Sequence, residues 1–226
     1  MSVAGKAILA PKNSHVDELN QVALSLMQGD VHHFESADSI VHVNDDSEAG
    51  LFPTEYLNSI NSSGLPPHLL TVKIGSPLLL IRNLNPKQGL CNGTRLVVKE
   101  VMNRLLKVEI MNGSHARHIA WIPRIDHLTA ENFLPFTMNR RQFPVKLAFA
   151  MTINKSQGQT LQHTGLWLPE PVFAHGQLYV ALSRSGIPEN TKILMLDVKG
   201  KQGRFSGYAG YFTKNVVYQE VIVKNN

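Results

Sequence analysis

The sequence predicts an α/β fold that is interrupted by a small β-rich module. A strand, a helix and a second strand open the chain, and apolar strands alternate with a helix again from Val145 onward. Between these two parts, residues 70–140 contain short β-rich runs separated by Gly, Asn and Pro. Strands that alternate with helices are typical of a parallel sheet, and clustered short strands are typical of small barrels.

The first predicted elements are a strand and an amphipathic helix. Lys6–Ala10 is an apolar run that ends at Pro11, and Ser14 is suited to cap the helix that follows. Gly29 ends this helix, and a second strand near Ser39–Val43 would complete a parallel strand–helix–strand unit. The apolar residues at helical spacing are Val16, Leu19, Ala23, Leu26 and Met27.

The middle of the chain changes from a helical to a β-rich pattern. Residues 44–50 predict a polar, acidic loop, and Phe52–Ile60 predicts a short helix. We predict a β module over residues 70–140, inserted in an α/β domain that comprises residues 1–69 and 141–226. The five β-rich runs, of which the third and fourth flank a hairpin-length connection, are Thr71–Ile74, Pro77–Ile81, Thr94–Val101, Leu105–Met111 and His118–Ile122.

The C-terminal part returns to the α/β pattern. A helix is predicted over roughly Phe173–Ser183, and Lys199–Tyr211 is rich in Gly and Lys and predicts a loop. Val216–Val223 alternates like a final strand. The predicted apolar strands are Leu147–Thr152, Gly165–Leu168 and Lys192–Leu196.

Composition argues against several classes of protein. No run reaches about 18 apolar residues, so neither a membrane span nor a membrane partner is expected. The single cysteine, Cys91, cannot form an internal disulfide, which favours a reducing, intracellular compartment. Residues 1–50 contain two Lys and eight acids, a net charge of −6, and the remainder contains 20 basic and nine acidic residues, a net charge of +11. A basic body favours a polyanionic partner, but a solvated basic surface explains the charge equally well.

A polar loop after a predicted strand is the first candidate site. Leu147–Thr152 leads directly into the polar segment Ile153–Thr160, in which residues 154–158 supply two amides, an ammonium group, a hydroxyl and Gly158. Ligands of parallel sheets gather beyond the carboxyl ends of the strands, and these groups suit phosphate and ribose. By spacing alone, an ordinary polar loop is the better explanation.

The segment HGQLYVALSR is the second candidate site. Gln177 and Arg184 lie seven residues apart, so both can project from one face of a helix. An Arg at the end of such a helix could reach a neighbouring domain's nucleotide as an arginine finger. By spacing alone, an Arg that meets the dipole at a helix C-terminus is the better explanation.

Several segments in order along the chain resemble one family. The sequence RQFPVKLAFAMTINKSQGQTL (141–161) resembles motif V of superfamily-one DNA helicases of the petite-integration-frequency (PIF) type, relatives of RecD, and residues 175–184 resemble motif VI. Residues 75–98 are similar to the segment that leads into the family's inserted β module. AILAPKN (7–13) resembles motif IV, and TKNVVYQEVIV (213–223) resembles the C-terminal end of the family. Copies carried by rolling-circle (Helitron-type) transposons are among the similar proteins.

The resemblance implies a second RecA-like domain, a parallel sheet with helices on both faces, with an inserted SH3-like barrel. In that family two RecA-like domains enclose ATP, and single-stranded DNA crosses them. Motif VI then implies that Arg184 stabilises the developing charge on the γ-phosphate and that Gln177 positions nucleotide or couples the domains. The remaining implied roles are DNA contacts by Lys12, Asn13, Thr152, Asn154 and Ser156, and nucleotide contacts by Lys155, Gln157 and Gly158.

One departure from the family bears on activity. The family's phosphate loop, G-x-x-x-x-G-K-[ST], does not occur in the 226 residues: Gly5-Lys6 and Gly200-Lys201 both fail the pattern. The resemblance therefore implies that ATP and Mg²⁺ are held mainly by a first RecA-like domain, which becomes an expected partner beside single-stranded DNA. Without that domain, this chain is expected to be inactive as an ATPase. A nuclear location is implied by the resemblance alone.

Other candidate groups have simpler structural explanations. His32-His33 and the pair His115/His118 lack a further Cys or His at ligand spacing, so we expect solvated or core histidines, not a metal site. Trp121 and Trp167 lie in apolar strands and are expected in the core. The basic residues of the β module, which could line a DNA path or simply be solvated, are Arg82, Lys87, Arg95, Lys99, Arg104 and Lys107.

Three functions remain open from the sequence. The first is the C-terminal motor half of an ATP-dependent helicase that moves 5′ to 3′ in repair, recombination, telomere maintenance or transposon replication. The second is a non-catalytic remnant that binds single-stranded DNA. The third is an interaction scaffold whose barrel binds protein.

Overall fold

The computed structural model describes residues 3, 5–43, 52–61, 64–129, 134–204 and 210–218. The chain divides into two compact units. Unit 1 comprises Met1–Ala23 and Phe149–Asn226, and unit 2 comprises Leu24–Ala148. The predicted acidic loop at 44–50 lies outside the described residues.

The secondary structure is mainly strand, with three α-helices in the described part of the chain. The helices are α1 (Asn13–Leu26), α2 (Thr54–Ser59) and α3 (Gln177–Leu182). The strands of the first half are β1 (Lys6–Ala10), β2 (His32–Glu35), β3 (Ala37–Val43), β4 (Leu69–Val72), β5 (Pro77–Leu80), β6 (Arg95–Val101), β7 (Leu105–Ile110) and β8 (Ile119–Pro123). Those of the second half are β9 (Ile125–Leu128), β10 (Phe136–Gln142), β11 (Val145–Leu147), β12 (Ala150–Thr152), β13 (His163–Leu168), β14 (Thr191–Met195), β15 (Gln202–Arg204) and β16 (Tyr211–Thr213).

Unit 1 is built on a four-stranded parallel sheet in the order β12-β1-β13-β14. Its core includes the fully buried Leu9, Ile153 and Leu166. Asn20 anchors α1 to the sheet, because its side-chain Oδ1 accepts from Ala150 N at 2.9 Å and its Nδ2 donates to Ala150 O at 3.3 Å. The predicted α/β fold with a parallel sheet is confirmed.

Unit 2 is antiparallel. Its largest sheet has the order β11-β5-β6-β7-β8, and two smaller sheets have the orders β3-β10-β9 and β2-β4. The large sheet surrounds a core that includes Leu78, Leu106 and Ile122, none of which is exposed. The five predicted β-rich runs and the hairpin between β6 and β7 are confirmed. The predicted boundaries at 70 and 140, and the SH3-like class of the module, stay predictions.

Two predicted strands need correction. The strand near Ser39–Val43 is β3, but it pairs antiparallel with β10 in unit 2 and takes no part in the parallel sheet. The predicted strand Leu147–Thr152 is two strands: β11 pairs antiparallel with β5, and β12 pairs parallel with β1. An unbroken apolar run indicates that the residues of both strands are buried, but it does not indicate which sheet each strand joins.

The C-terminal elements also differ from the prediction. The predicted helix Phe173–Ser183 is shorter, because Gly176 adopts a left-handed conformation (φ 72°) before Gln177 begins α3. The predicted loop Lys199–Tyr211 contains β15 and borders β16, and Gln202 fixes this hairpin by donating to Leu168 O and Leu196 O at 2.8 Å each. Residues 216–218 are not in a strand, and the rest of the predicted final strand lies outside the described residues.

A buried ion pair joins three elements of unit 2. Arg140 on β10 and Asp38 on β3 are both fully buried at the side chain, with Arg140 Nη2 2.7 Å from Asp38 Oδ2. The same guanidinium donates to four backbone carbonyls within α2 or in the segment after it, those of Leu57, Asn58, Ile60 and Pro66. Because this one buried guanidinium satisfies acceptors on α2, after α2 and on β3, Arg140 determines how α2 packs on the β3-β10-β9 sheet.

Among the described helices, none is long and apolar enough to cross a membrane.

Candidate functional site

The polar residues of the candidate site follow the carboxyl ends of parallel strands in unit 1. Lys12 and Asn13 come after β1, residues 153–158 come after β12, and Glu170 comes after β13. Since the four strands run parallel, these ends lie at one edge of the sheet. The structure therefore places the motif IV and motif V segments at the same edge.

The motif V segment contains a tight turn directly after β12. Ile153–Ser156 form a 3₁₀ turn whose Ile153 is fully buried. Ser156 is also buried, and its hydroxyl donates to Ile153 O at 2.7 Å, so in this conformation the hydroxyl serves the turn. Gly158 has φ 77°, a conformation that favours glycine, although an added Cβ would meet no atom within 4 Å.

Three side chains of this segment face solvent. Asn154, Lys155 and Gln157 are exposed, and Thr152 is half-buried. An amide, an ammonium group and a second amide are thus available together at the sheet edge. These groups donate hydrogen bonds to phosphate or ribose oxygens without selecting a base.

Arg184 connects the motif V segment to the motif VI helix. Its guanidinium donates to Val180 O at 2.7 Å, to Ser156 O and Gln159 O at 3.2 Å each, and to Ser183 Oγ at 2.8 Å. We call these four hydrogen bonds the Arg184 network. In addition, Leu161 N donates to Arg184 O at 2.9 Å. The planar fork of arginine suits this role because its fixed donors reach several carbonyls at once.

Gln177 does not share a face with Arg184, contrary to the sequence prediction. Helix α3 ends at Leu182 and Ser183 is its C-cap, so Arg184 lies beyond the helix. Gln177 is 2% exposed, and its Oε1 accepts from Phe173 N at 3.1 Å. The helical seven-residue spacing does not apply, because the helix ends two residues before Arg184.

Lys12 is paired with an acid that the sequence analysis did not single out. Lys12 Nζ lies 2.5 Å from Glu170 Oε1, and His15 Nε2 lies 4.0 Å from the same oxygen. The hydrogen bond from Lys12 is the main cause that lowers the pKa of Glu170. Asn13, at the start of α1, is exposed. The signal for Glu170 in the sequence was its position two residues after an apolar strand, at the same sheet edge as motif IV.

The described residues do not fit a magnesium site. No group of three or more His, Cys, Asp or Glu is close enough to hold a metal ion in the described part of the chain. Lys155 and Gln157 remain available for nucleotide, but neither supplies the carboxylate or hydroxyl oxygens that Mg²⁺ prefers.

Two residues of the β module are placed differently from the prediction. Arg95 is buried (2% exposed) and donates to Ala148 O at 3.0 Å, so it lines no surface path. Trp121 was expected in the core but is 45% exposed, because its position on β8 faces away from the buried Ile122. Trp167 is half-buried and packs against Ala10 and Val16 in the core of unit 1.

Sequence comparison identifies relatives of the chain. Residues 55–101 match the family described as the DNA helicase Pif1, 2B domain. The human ATP-dependent DNA helicase PIF1 is 32% identical over 190 residues, which are 81% of this chain and 27% of the human protein. The chain therefore spans only about a quarter of the length of that relative.

Solved structures give the same result for the fold. The Pif1 helicase of Candida albicans superposes with a TM-score of 0.64 at 26% identity, covering 84% of this chain and 44% of that chain. Pif1 from Bacteroides, solved with ADP-AlF3 and single-stranded DNA, gives a TM-score of 0.59 at 20% identity over 83% of this chain and 40% of that chain.

The parallel sheet, its edge segments and these matches make the chain a relative of the ATP-dependent DNA helicases. More narrowly, it is a relative of the PIF1-type helicases, as motifs IV, V and VI predicted, and it corresponds to part of their length.

Proposed function

We propose that this chain acts as the C-terminal motor half of an ATP-dependent DNA helicase that moves 5′ to 3′. In this role unit 1 is the second RecA-like domain, and single-stranded DNA runs along the edge that carries Asn13, Thr152 and Asn154. The observation that carries the proposal is the Arg184 network, because it ties the segment proposed to touch DNA to the residue proposed to sense nucleotide.

The proposed division of labour assigns different residues to DNA and nucleotide. Asn13 and Asn154 are exposed and neutral, so they can hold phosphate oxygens without reading sequence. Lys12 joins them when a phosphate competes with Glu170 for its ammonium group. Ser156 is buried and contributes by shaping the turn from which Asn154 projects.

ATP with Mg²⁺ would be held mainly by a partner RecA-like domain, with Lys155, Gln157 and the backbone at Gly158 contributing from this chain. Arg184 then has two alternative sets of acceptors: its present carbonyls or the γ-phosphate. In the second set its permanent charge and planar donors stabilise the charge that develops during hydrolysis.

The test is reconstitution with a first RecA-like domain of a PIF1-type relative. We expect single-stranded-DNA-dependent ATP hydrolysis that Arg184→Ala lowers by about 10³-fold or more. Arg184→Lys should restore little, because a lysine lacks the fork. Arg204→Ala, which removes an exposed arginine of unit 1, is the matched control and should leave the rate unchanged.

Equal rates for the Arg184→Ala variant and the parent would remove Arg184 from catalysis. No hydrolysis by any reconstituted mixture, with DNA binding retained, would favour the second candidate: a non-catalytic module that binds single-stranded DNA. The exposed amides of Asn13 and Asn154, which can hold phosphate without a nucleotide, are the observation that favours this candidate. Repair, recombination and telomere maintenance are the proposed processes, with a nuclear location.

A further inference from the structure

A second cationic surface lies entirely within unit 2. A cavity of about 680 Å³ is bordered by three arginines from different elements: Arg104 in the turn between β6 and β7, Arg124 between β8 and β9, and Arg141 on β10. The other lining residues, Ala37, Asn103, Leu105 and Pro123, carry no charge. Three guanidinium groups around one cavity with no acidic side chain in its lining fit a polyanion.

The three arginines differ in how firmly they are held. Arg124 is fixed: its Nη1 donates to Glu35 O at 2.8 Å, and its guanidinium lies 5.5 Å and 5.2 Å from the rings of Phe34 and Phe143. Arg141 and Asp126 form a loose pair (3.7 Å) whose side chains are 61% and 52% exposed. Arg104 is exposed at its turn. One arginine is thus pre-positioned, and two are available to close on a ligand.

An exposed aromatic ring adjoins this cavity. Trp121 pairs across the strands with Lys107, and Pro123 pairs with Leu105. All four residues share the outer face, because the alternating positions Leu106, Val108 and Ile122 are fully buried. Trp121 therefore lies two residues, about 7 Å, from a residue of the cavity wall.

The Trp121 ring is suited to stacking. It is 45% exposed, and Lys107 Nζ lies 5.4 Å from its centroid. Glu100 partly balances Lys107 at 3.3 Å, so the ammonium group is held beside the ring. An aromatic platform beside a cationic groove is the combination that binds single-stranded nucleic acid without sequence preference.

We propose that this surface of unit 2 binds single-stranded nucleic acid, with one base stacked on Trp121 and the adjacent phosphates held by Arg104, Arg124 and Arg141. None of these residues belongs to the DNA contacts proposed in unit 1, so the inference goes beyond the proposed function. Stacking accounts for the exposed aromatic ring, and the phosphates account for three arginines around a cavity whose lining has no acidic side chain.

The experiment uses the full chain, a fluorescein-labelled oligo-dT and intrinsic tryptophan fluorescence. The protein has two tryptophans, so Trp167→Phe leaves Trp121 as the sole reporter and Trp121→Phe leaves Trp167. We expect oligo-dT to quench the Trp167→Phe protein and not the Trp121→Phe protein. Trp121→Ala should weaken binding about 5- to 20-fold.

Arginine variants test the phosphate contacts. Arg104→Ala with Arg141→Ala should weaken binding at least tenfold and reduce the slope of log affinity against log salt by about 1.4. The matched control, Arg82→Ala with Lys87→Ala, removes two exposed charges of unit 2 that do not line the cavity and should reduce affinity less than threefold. Circular-dichroism melting of each variant identifies any loss of fold.

The possible outcomes separate this inference from the proposed function. If Asn13→Ala with Asn154→Ala abolishes binding while Trp121 fluorescence stays constant and the arginine variants bind normally, the inference is overturned and the proposed function stands. If the unit 1 variants bind oligo-dT normally while the Trp121 and arginine variants bind it more weakly, the inference stands. The DNA contacts proposed for unit 1 are then wrong. Tighter binding of a duplex than of a single strand, or binding only of peptides along the β8 edge, would overturn stacking on Trp121.

Discussion

The Lys12–Glu170 pair places a carboxylate beside a lysine that we propose contacts phosphate. Both side chains are about half exposed, 48% and 41%, so the pair is screened by solvent and adds little to stability. Under the proposed function its larger effect is on DNA binding, because Lys12 would have to leave Glu170 before it could contact a phosphate.

We therefore expect Glu170→Gln to strengthen single-stranded DNA binding about two- to fivefold at low salt, with the gain shrinking as salt rises. Fluorescence anisotropy with oligo-dT at several salt concentrations measures this. Glu189→Gln, an exposed acid of unit 1, is the control for net charge. Unchanged or weaker binding by Glu170→Gln would contradict a DNA role for Lys12.

His127 makes the stability of unit 2 depend on pH. It is 1% exposed, and burial, followed by the charge of Arg82, lowers its pKa from 6.5 to about 4. Between these two values the unfolded chain binds a proton that the folded protein does not. The stabilisation is therefore complete above about pH 6.5 and is lost as pH falls toward 4.

The expected loss across this window is on the order of 2 to 3 kcal/mol. Urea unfolding at pH 7, 6, 5 and 4.5 gives the free energies, and His127→Gln should flatten the dependence even if it lowers stability at every pH. An unchanged slope in that variant would assign the acid sensitivity to other groups.

At the scale of elements, Arg140 holds α2 and the strands β3 and β10 together. Arg140→Ala leaves Asp38 buried without its arginine partner and removes a donor from several carbonyls, which should lower the free energy of unfolding by about 3 to 5 kcal/mol. Arg141→Ala on the same strand removes an exposed arginine and should cost less than about 1 kcal/mol. Denaturant unfolding compares the two, and equal losses would show that the buried network is not what stabilises these elements.

The sequence predicted the secondary-structure elements better than it predicted which strands pair with one another. β1, α1 and the β6–β7 hairpin follow from local patterns, because periodicity, a Pro stop and turn length are all contained in neighbouring residues. The assignment of β3 to the antiparallel sheet does not follow, since its partner β10 lies about a hundred residues away. The division between β11 and β12 could not be predicted either, because their partners β5 and β1 are also distant in the sequence.

The sequence likewise predicted the segments of the candidate site but not the contacts between them. Motif order along the chain identified the segments that contain Asn13, Asn154 and Arg184, and the parallel sheet brings two of these segments to one edge. The Arg184 network, the Lys12–Glu170 pair and the exposure of Trp121 were not predictable, because each depends on contacts or strand register between distant segments.

At the scale of the whole molecule, the two units have separate cores and different sheet types. Each contains one tryptophan, Trp167 in unit 1 and Trp121 in unit 2. The matched 2B domain, residues 55–101, lies inside unit 2, whereas motif IV, motif VI and residues 149–161 of motif V lie in unit 1. The proposed motor function and the proposed unit 2 nucleic-acid surface therefore belong to different units and can be disabled separately.

Unit 1 is built from two segments that lie far apart in the sequence, and this separation also governs the order in which the chain can fold. Ile8 on β1 pairs with Ala150 on β12, so the ribosome must add 142 residues before that partner exists. At ordinary rates of synthesis this delay is on the order of ten seconds, whereas the β6–β7 hairpin closes between neighbours. During the delay KAILA is an apolar strand with both edges unpaired, open to chaperones and to pairing with another nascent chain.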